Sequence, residues 1–149
     1  MEKIYKITDN LYIGSYKAAK KLKKLKKEGI TAIVRLMEKE KNRPPQEFNY
    51  LYKPIKDKTY INHKDLQEIL DFIDTNLKNG KVLVHCASGI SRSGGIIVAR
   101  LLIENPDWNW EQARNFVRNF TTISPHPKIR QSILDFLESN EGKRRSNIY

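Results

Sequence analysis

A chain of 149 residues and 17.5 kDa has room for one domain, and with 39% hydrophobic and 30% charged residues it is neither a disordered polymer nor a membrane bundle. Its 28 basic and 17 acidic side chains leave a formal charge of +11, a field that attracts phosphate esters, nucleic acid or acidic membrane surfaces without choosing among them. One cysteine, Cys86, excludes an intrachain disulfide framework and points to a reducing compartment.

Residues 3–7 and 11–14 flank the polar turn Thr8-Asp9-Asn10 and predict a short hairpin. From residue 16 to 28 the apolar positions Ala18, Ala19, Leu22 and Leu25 follow helical spacing up to Gly29. This predicts one amphipathic helix, with the seven lysines between 17 and 27 on a solvated face. Residues 31–36 and 50–55 read as strands on either side of a charged loop containing Pro44 and Pro45. Asn62 caps the next helix, in which Leu66, Ile69, Leu70, Ile73 and Leu77 share a face and which Gly80 stops.

Residues 82–85 form a short run of β-formers, as in a strand buried on both faces of a parallel sheet, and a helix follows over 93–102. The run from 94 to 103, broken by Arg100, falls far short of the roughly 20 apolar residues of a membrane span. Asp107 is read as the cap of a helix carrying Trp110, Ala113, Phe116, Val117 and Phe120. Pro127 opens the last helix, and the basic tail 141–149 is expected to fray. MEKIYKITDN has no apolar signal core, so the expected location is the cytoplasm and the expected organisation a single domain, 1–149.

Strands alternating with helices imply an α/β sheet, whose ligands gather at the carboxyl ends of the parallel strands. That position falls on His85-Cys86-Ala87-Ser88-Gly89-Ile90-Ser91-Arg92-Ser93, between a strand and a helix. Gly89 lets the backbone curl so that successive N–H groups point inward, and the helix start adds partial positive charge. Arg92 offers two phosphate oxygens a planar fork. A thiol at a helix N-terminus beside a cation ionises far more readily than the ordinary value of about 8.5 allows. An ionised Cys86 is a nucleophile toward phosphorus.

The string HCASGISRSG resembles the His-Cys-x5-Arg-Ser signature of the cysteine-dependent protein tyrosine phosphatase superfamily, in particular its small dual-specificity phosphatases. ITDNLYIGS, EGITAIVRL, LQEILDFIDTNLKNGKVLVHC and ISPHPKIRQSILDFL resemble further segments of that family, with His126 where asparagine is common. The resemblance implies a central mixed, mostly parallel five-stranded sheet flanked by helices. It also implies hydrolysis of phosphate monoesters on protein tyrosine and serine or threonine through a phosphocysteine. In that scheme Cys86 attacks, residues 87–92 (Ala87, Ser88, Gly89, Ile90, Ser91 and Arg92) hold the phosphoryl group, and Ser93 stabilises the departing thiolate. His85 orients the loop.

Asp57, 29 residues before Cys86, matches the family's general acid, although Lys56 and Lys58 beside it favour its ionised form. Asp65, Asp71 and Asp74 sit on helix faces and are weaker candidates. No metal and no cofactor is expected, since three histidines and one cysteine do not make a zinc set. Glu38 is read as a solvated loop carboxylate. Arg35, which interrupts an apolar strand, either reaches the site mouth or finds another partner.

The expected partner is a phosphorylated protein. An RNA 5′-phosphatase or a phosphoinositide phosphatase is the enzymatic alternative, because the basic surface also suits RNA or anionic phospholipid. A silent phosphate-binding module is the rival from another class. The sequence carries no signal for an oligomeric state.

Overall fold

The computed structural model describes residues 3–40 and 42–146. Among these residues five strands, β1 (Tyr5–Lys6), β2 (Leu11–Ser15), β3 (Ile30–Arg35), β4 (Asn49–Tyr52) and β5 (Lys81–Cys86), form one sheet in the order β1-β2-β5-β3-β4. Only β1 runs antiparallel; β2, β5, β3 and β4 are mutually parallel, as the sequence leads one to expect. β5 lies in the middle, with Val82, Leu83 and Val84 fully buried, so its end opens onto the centre of the carboxyl edge.

Among the described residues seven helices flank the sheet: α1 (Tyr16–Ala19), α2 (Leu22–Glu28), α3 (His63–Leu77), α4 (Arg92–Glu104), α5 (Trp110–Arg118), α6 (Pro127–Glu138) and α7 (Asn140–Ser146). One face packs Leu25, Ile33, Phe48 and Leu83 under α1 and α2. The other buries α4 from Arg92 to Ile103 among apolar residues of α3, α5 and α6. Gly95 permits this approach, because a Cβ there would stand 2.7 Å from Ile129 Cγ2 on α6.

Four local expectations are corrected. The helix over 16–28 is two helices: Ser15 caps α1, Lys21 turns to a non-helical ψ of 71°, and α2 restarts at Leu22. The break lets Ala18, Ala19 and Leu25 all reach the sheet while the seven lysines stay exposed. β4 ends at Tyr52: Lys53 and Ile55 still donate to the carbonyls of Arg35 and Leu36, but those acceptors are adjacent instead of two residues apart, so the parallel register slips beyond Tyr52.

α5 is capped by Asn109, not Asp107, through a reciprocal capping box with Gln112. Nor is the basic tail frayed within its described part. α7 docks on α3, with Arg145 only 5% exposed and bound to Asp71 and to Asp74 at 3.0 Å. Residues 147–149 lie outside the described residues. Trp110 is core, as its helical spacing implies. No helix among the described residues is long and apolar enough to cross a membrane.

Candidate active site

β5 delivers His85 and Cys86 to the sheet edge, and the chain turns through residues 87–91 before α4 begins at Arg92. Gly89 makes the turn with φ 78°, where a Cβ would meet the Gly14 carbonyl oxygen at 2.7 Å. Only glycine fits both the dihedral and the space. Its N–H then points back at the Cys86 sulfur, at 3.3 Å. From the first turn of α4 the Ser93 hydroxyl stands 3.1 Å from the same sulfur. The positive end of α4 adds to this polar surround.

The loop is tied down from outside. Tyr16 donates its N–H to the Ala87 carbonyl at 3.2 Å and Ser124 to that of Ile90 at 3.0 Å. Cys86 is buried, 1% exposed, while Ala87 and Ser88 at the rim of the loop are open to solvent. Beside the rim lies a cleft of about 310 Å³ walled by Tyr16, Lys17, Met37 and Ile90. A larger cavity of about 550 Å³, between the ends of α4 and α6 and the start of α5, has no loop residue in its lining. The chemistry-bearing groups, not the cavity size, locate the candidate site.

Arg92 is 9% exposed, and its Nη1 donates to the Ile55 carbonyl at 2.9 Å. Its Nε is buried with no hydrogen-bond partner among the described residues. A buried guanidinium donor left without an acceptor is costly, and an anionic oxygen held in the loop would relieve that cost.

Asp57 follows β4 in a turn where Lys58 takes φ 63°, and is half-buried at the loop's edge. Its carboxylate accepts the Ser91 hydroxyl at 2.8 Å and the Lys58 N–H at 2.8 Å. Ser91 in turn accepts the N–H of His126, the cap of α6, at 3.2 Å. The weaker acid candidates have other partners: Asp65 faces Lys53 at 3.6 Å, and Asp71 and Asp74 hold Arg145. Glu38 is exposed at the surface.

Behind the loop, His85 has no exposed surface and its Nδ1 lies 3.4 Å from the Cys86 carbonyl oxygen. Arg35, 2% exposed, donates its Nε–H to His85 Nε2 at 3.3 Å, and Tyr16 stacks on the ring at 6.5 Å between centres. Burial, and secondarily the charge of Arg35, push the imidazole down to about 4. Arg35 thus has its partner behind the loop. Spacing alone did not reveal this link, nor the ties made by Ser91 and Ile55; the one signal was a charge inside an apolar strand.

The family model for the dual specificity phosphatase catalytic domain matches residues 11–139. The chain is 32% identical over 149 residues to the tyrosine-protein phosphatase yvh1 of Schizosaccharomyces pombe, a match covering 94% of this chain and 43% of that protein. It superposes on a crystal structure of DUSP15 with a TM-score of 0.84 at 27% identity, over 99% of this chain and 96% of the other. A human tyrosine phosphatase-like serine/threonine/tyrosine-interacting protein gives 0.80 at 29% identity, over 91% and 96%. The chain spans 43% to 63% of the length of the first curated relatives it matches.

Proposed function

This chain belongs to the dual specificity phosphatase catalytic-domain family, and from that premise we propose that it is a single catalytic domain hydrolysing phosphate monoesters on tyrosine and on serine or threonine of proteins. The reaction runs in two displacements. The Cys86 thiolate attacks phosphorus, the bond from phosphorus to the ester oxygen breaks, and Asp57 gives that oxygen its proton. Water then attacks the phosphocysteine, Asp57 takes the water's proton, and the phosphorus–sulfur bond breaks to return the thiolate.

The loop amides and Arg92 meet the charge that spreads over the phosphoryl oxygens in both steps. Ser93 is suited to donate its hydroxyl to the sulfur as it leaves, 3.1 Å away. The observation that carries the reading is the sulfur itself, flanked by the Gly89 amide and the Ser93 hydroxyl, with a buried, unpartnered Arg92 Nε in the same loop. Protein substrates are favoured over RNA or phosphoinositide because the curated relatives carry protein-phosphatase names.

The test is turnover of an aryl phosphate in excess chelator by the wild-type chain and by Cys86→Ser. Metal-independent hydrolysis that disappears in the variant supports the enzyme. Binding of phosphate with no turnover at any pH makes the chain a silent binder. Phosphopeptides, triphosphorylated RNA and phosphoinositides compared at fixed salt then separate the substrate classes.

A further inference from the structure

Arg35 is a permanent cation between Val34 and Leu36 at the end of β3, with 2% of its surface exposed. Holding a charge there is expensive unless its donors find acceptors. The Nε–H goes to His85 Nε2 at 3.3 Å, Nη2 donates to the Asn42 carbonyl at 3.4 Å, and Cζ lies 5.5 Å and 5.7 Å from the ring centres of Tyr16 and Tyr50. His85 carries the contact onward, its Nδ1 facing the carbonyl of Cys86.

We infer that Arg35 is a positioning residue for the Cys86 site, acting through His85: its guanidinium occupies the Nε2 lone pair, fixes the ring proton on Nδ1, and keeps the imidazole neutral beside the nucleophile. The purpose of this arrangement rests on the phosphatase reading. An ordinary histidine charges between about pH 5 and 8. A protonated ring has no lone pair for Arg35 and would set two cations against each other behind the loop.

The groups around the ring agree. From β3 comes Arg35, and from α1 the Tyr16 ring, with Lys20 Nζ 4.9 Å from its centre. On the loop side stands Cys86, whose carbonyl faces the ring and whose sulfur meets the Ser93 hydroxyl, while Arg92 at the start of α4 turns its Nη1 to the Ile55 carbonyl. Beyond Arg35 is Tyr50, which donates to Glu40, with Arg43 stacked on its ring. Glu40 is the one carboxylate in this set, and it is engaged by Tyr50 and by Arg43 at 3.7 Å. Burial first, and the charge of Arg35 second, lower His85 to about 4.

The test is a nitrogen-15 NMR titration of the imidazoles in the full chain, with His85 assigned through His85→Gln. Wild type should show His85 neutral at pH 6 with its proton on Nδ1. In Arg35→Met the midpoint should rise from about 4 toward the ordinary 6.5 without reaching it, because burial remains. Arg35→Lys, which keeps the charge without the fork, should move it less.

Alkylation of Cys86 by iodoacetamide, followed against pH, should gain one extra ionisation in Arg35→Met and lose it again in Arg35→Met with His85→Gln. The inference is overturned if wild-type His85 carries its proton on Nε2, is charged at pH 6, or keeps its midpoint in Arg35→Met. If Arg35→Met does not fold, the wild-type tautomer and Arg35→Lys decide. None of these readouts needs turnover, so an inactive chain that gives the expected titrations would sink the phosphatase reading and leave the role of Arg35 standing.

Discussion

The hydroxyl of Ser91 joins the acid candidate to the phosphate loop, donating to the Asp57 carboxylate at 2.8 Å while it receives the N–H of His126 at 3.2 Å. Arg92 makes a second tie two residues earlier in the Asp57 turn, at the Ile55 carbonyl. The residue that would protonate the leaving group is therefore held by the loop that would bind the phosphoryl group. Mutual placement of this kind is what general acid catalysis requires.

Asp57→Asn should lower kcat on alkyl phosphates by about 10²-fold or more, and by far less on aryl phosphates whose leaving group needs no proton. Ser91→Ala removes the bond from His126 as well as the one to Asp57; the latter, worth about 1 kcal/mol, should cost about five-fold in kcat on the alkyl substrate. Steady-state kinetics on the two substrate types check both. Equal losses for Asp57→Asn on the two types would remove Asp57 from the acid role.

Gly89→Ala forces a side chain into a left-handed backbone position and against the Gly14 carbonyl. The dihedral alone should cost about 1–2 kcal/mol of stability, and the collision should push the amide off the Cys86 sulfur. A lowered Tm together with a large fall in kcat on aryl phosphate is expected. A fall in Tm with kcat unchanged would mean that the Gly89 amide does not matter to the sulfur.

His85 supplies a pH-dependent part of the folding energy. Its folded value of about 4 lies below the ordinary 6.5, so between those limits the unfolded chain binds a proton that the folded chain refuses. The contribution is fully present above about pH 6.5 and is lost as the pH falls toward 4, amounting to about 3 kcal/mol over the whole window. Urea unfolding at stepped pH should show this slope, and His85→Gln should flatten it.

Arg145 clamps α7 to α3 through Asp71 and Asp74, and Asp74 also meets Arg100 at 3.0 Å. Arg145→Met should lower unfolding stability by about 2 kcal/mol, since it deletes charged hydrogen bonds from a buried guanidinium to half-buried Asp74 and exposed Asp71. Kinetics on aryl phosphate should stay unchanged, because none of these residues touches the Cys86 loop. An altered kcat with normal stability would contradict that separation.

Periodicity made much of this molecule legible in advance. The buried run before Cys86 marked the central strand, the spacing of Leu66, Ile69, Leu70 and Ile73 marked α3, and Pro127 marked the start of α6. Chemistry packed into one loop could be read there too, because residues 86–93 are consecutive in the chain. What stayed hidden depends on contacts between segments far apart. Arg35 meets a residue 50 positions away, Ser91 one 34 positions away, and Arg145 one 71 positions away.

The capping box at Asn109 was legible from Gln112 three residues later, and Asp107 was the wrong choice between two capping residues. The break between α1 and α2 had no such mark. Tertiary packing of Ala19 and Leu25 onto the sheet overrode a spacing that fits one continuous helix.

The most direct test of the account is rapid acid quench of the chain during turnover of an aryl phosphate, followed by mass spectrometry of its peptides. One phosphoryl group should be found on the peptide containing Cys86, forming as fast as the first burst of product and more abundant in a variant whose second step is slowed, such as Ser93→Ala. Turnover with no phosphorus on that sulfur at any quench time would contradict the account.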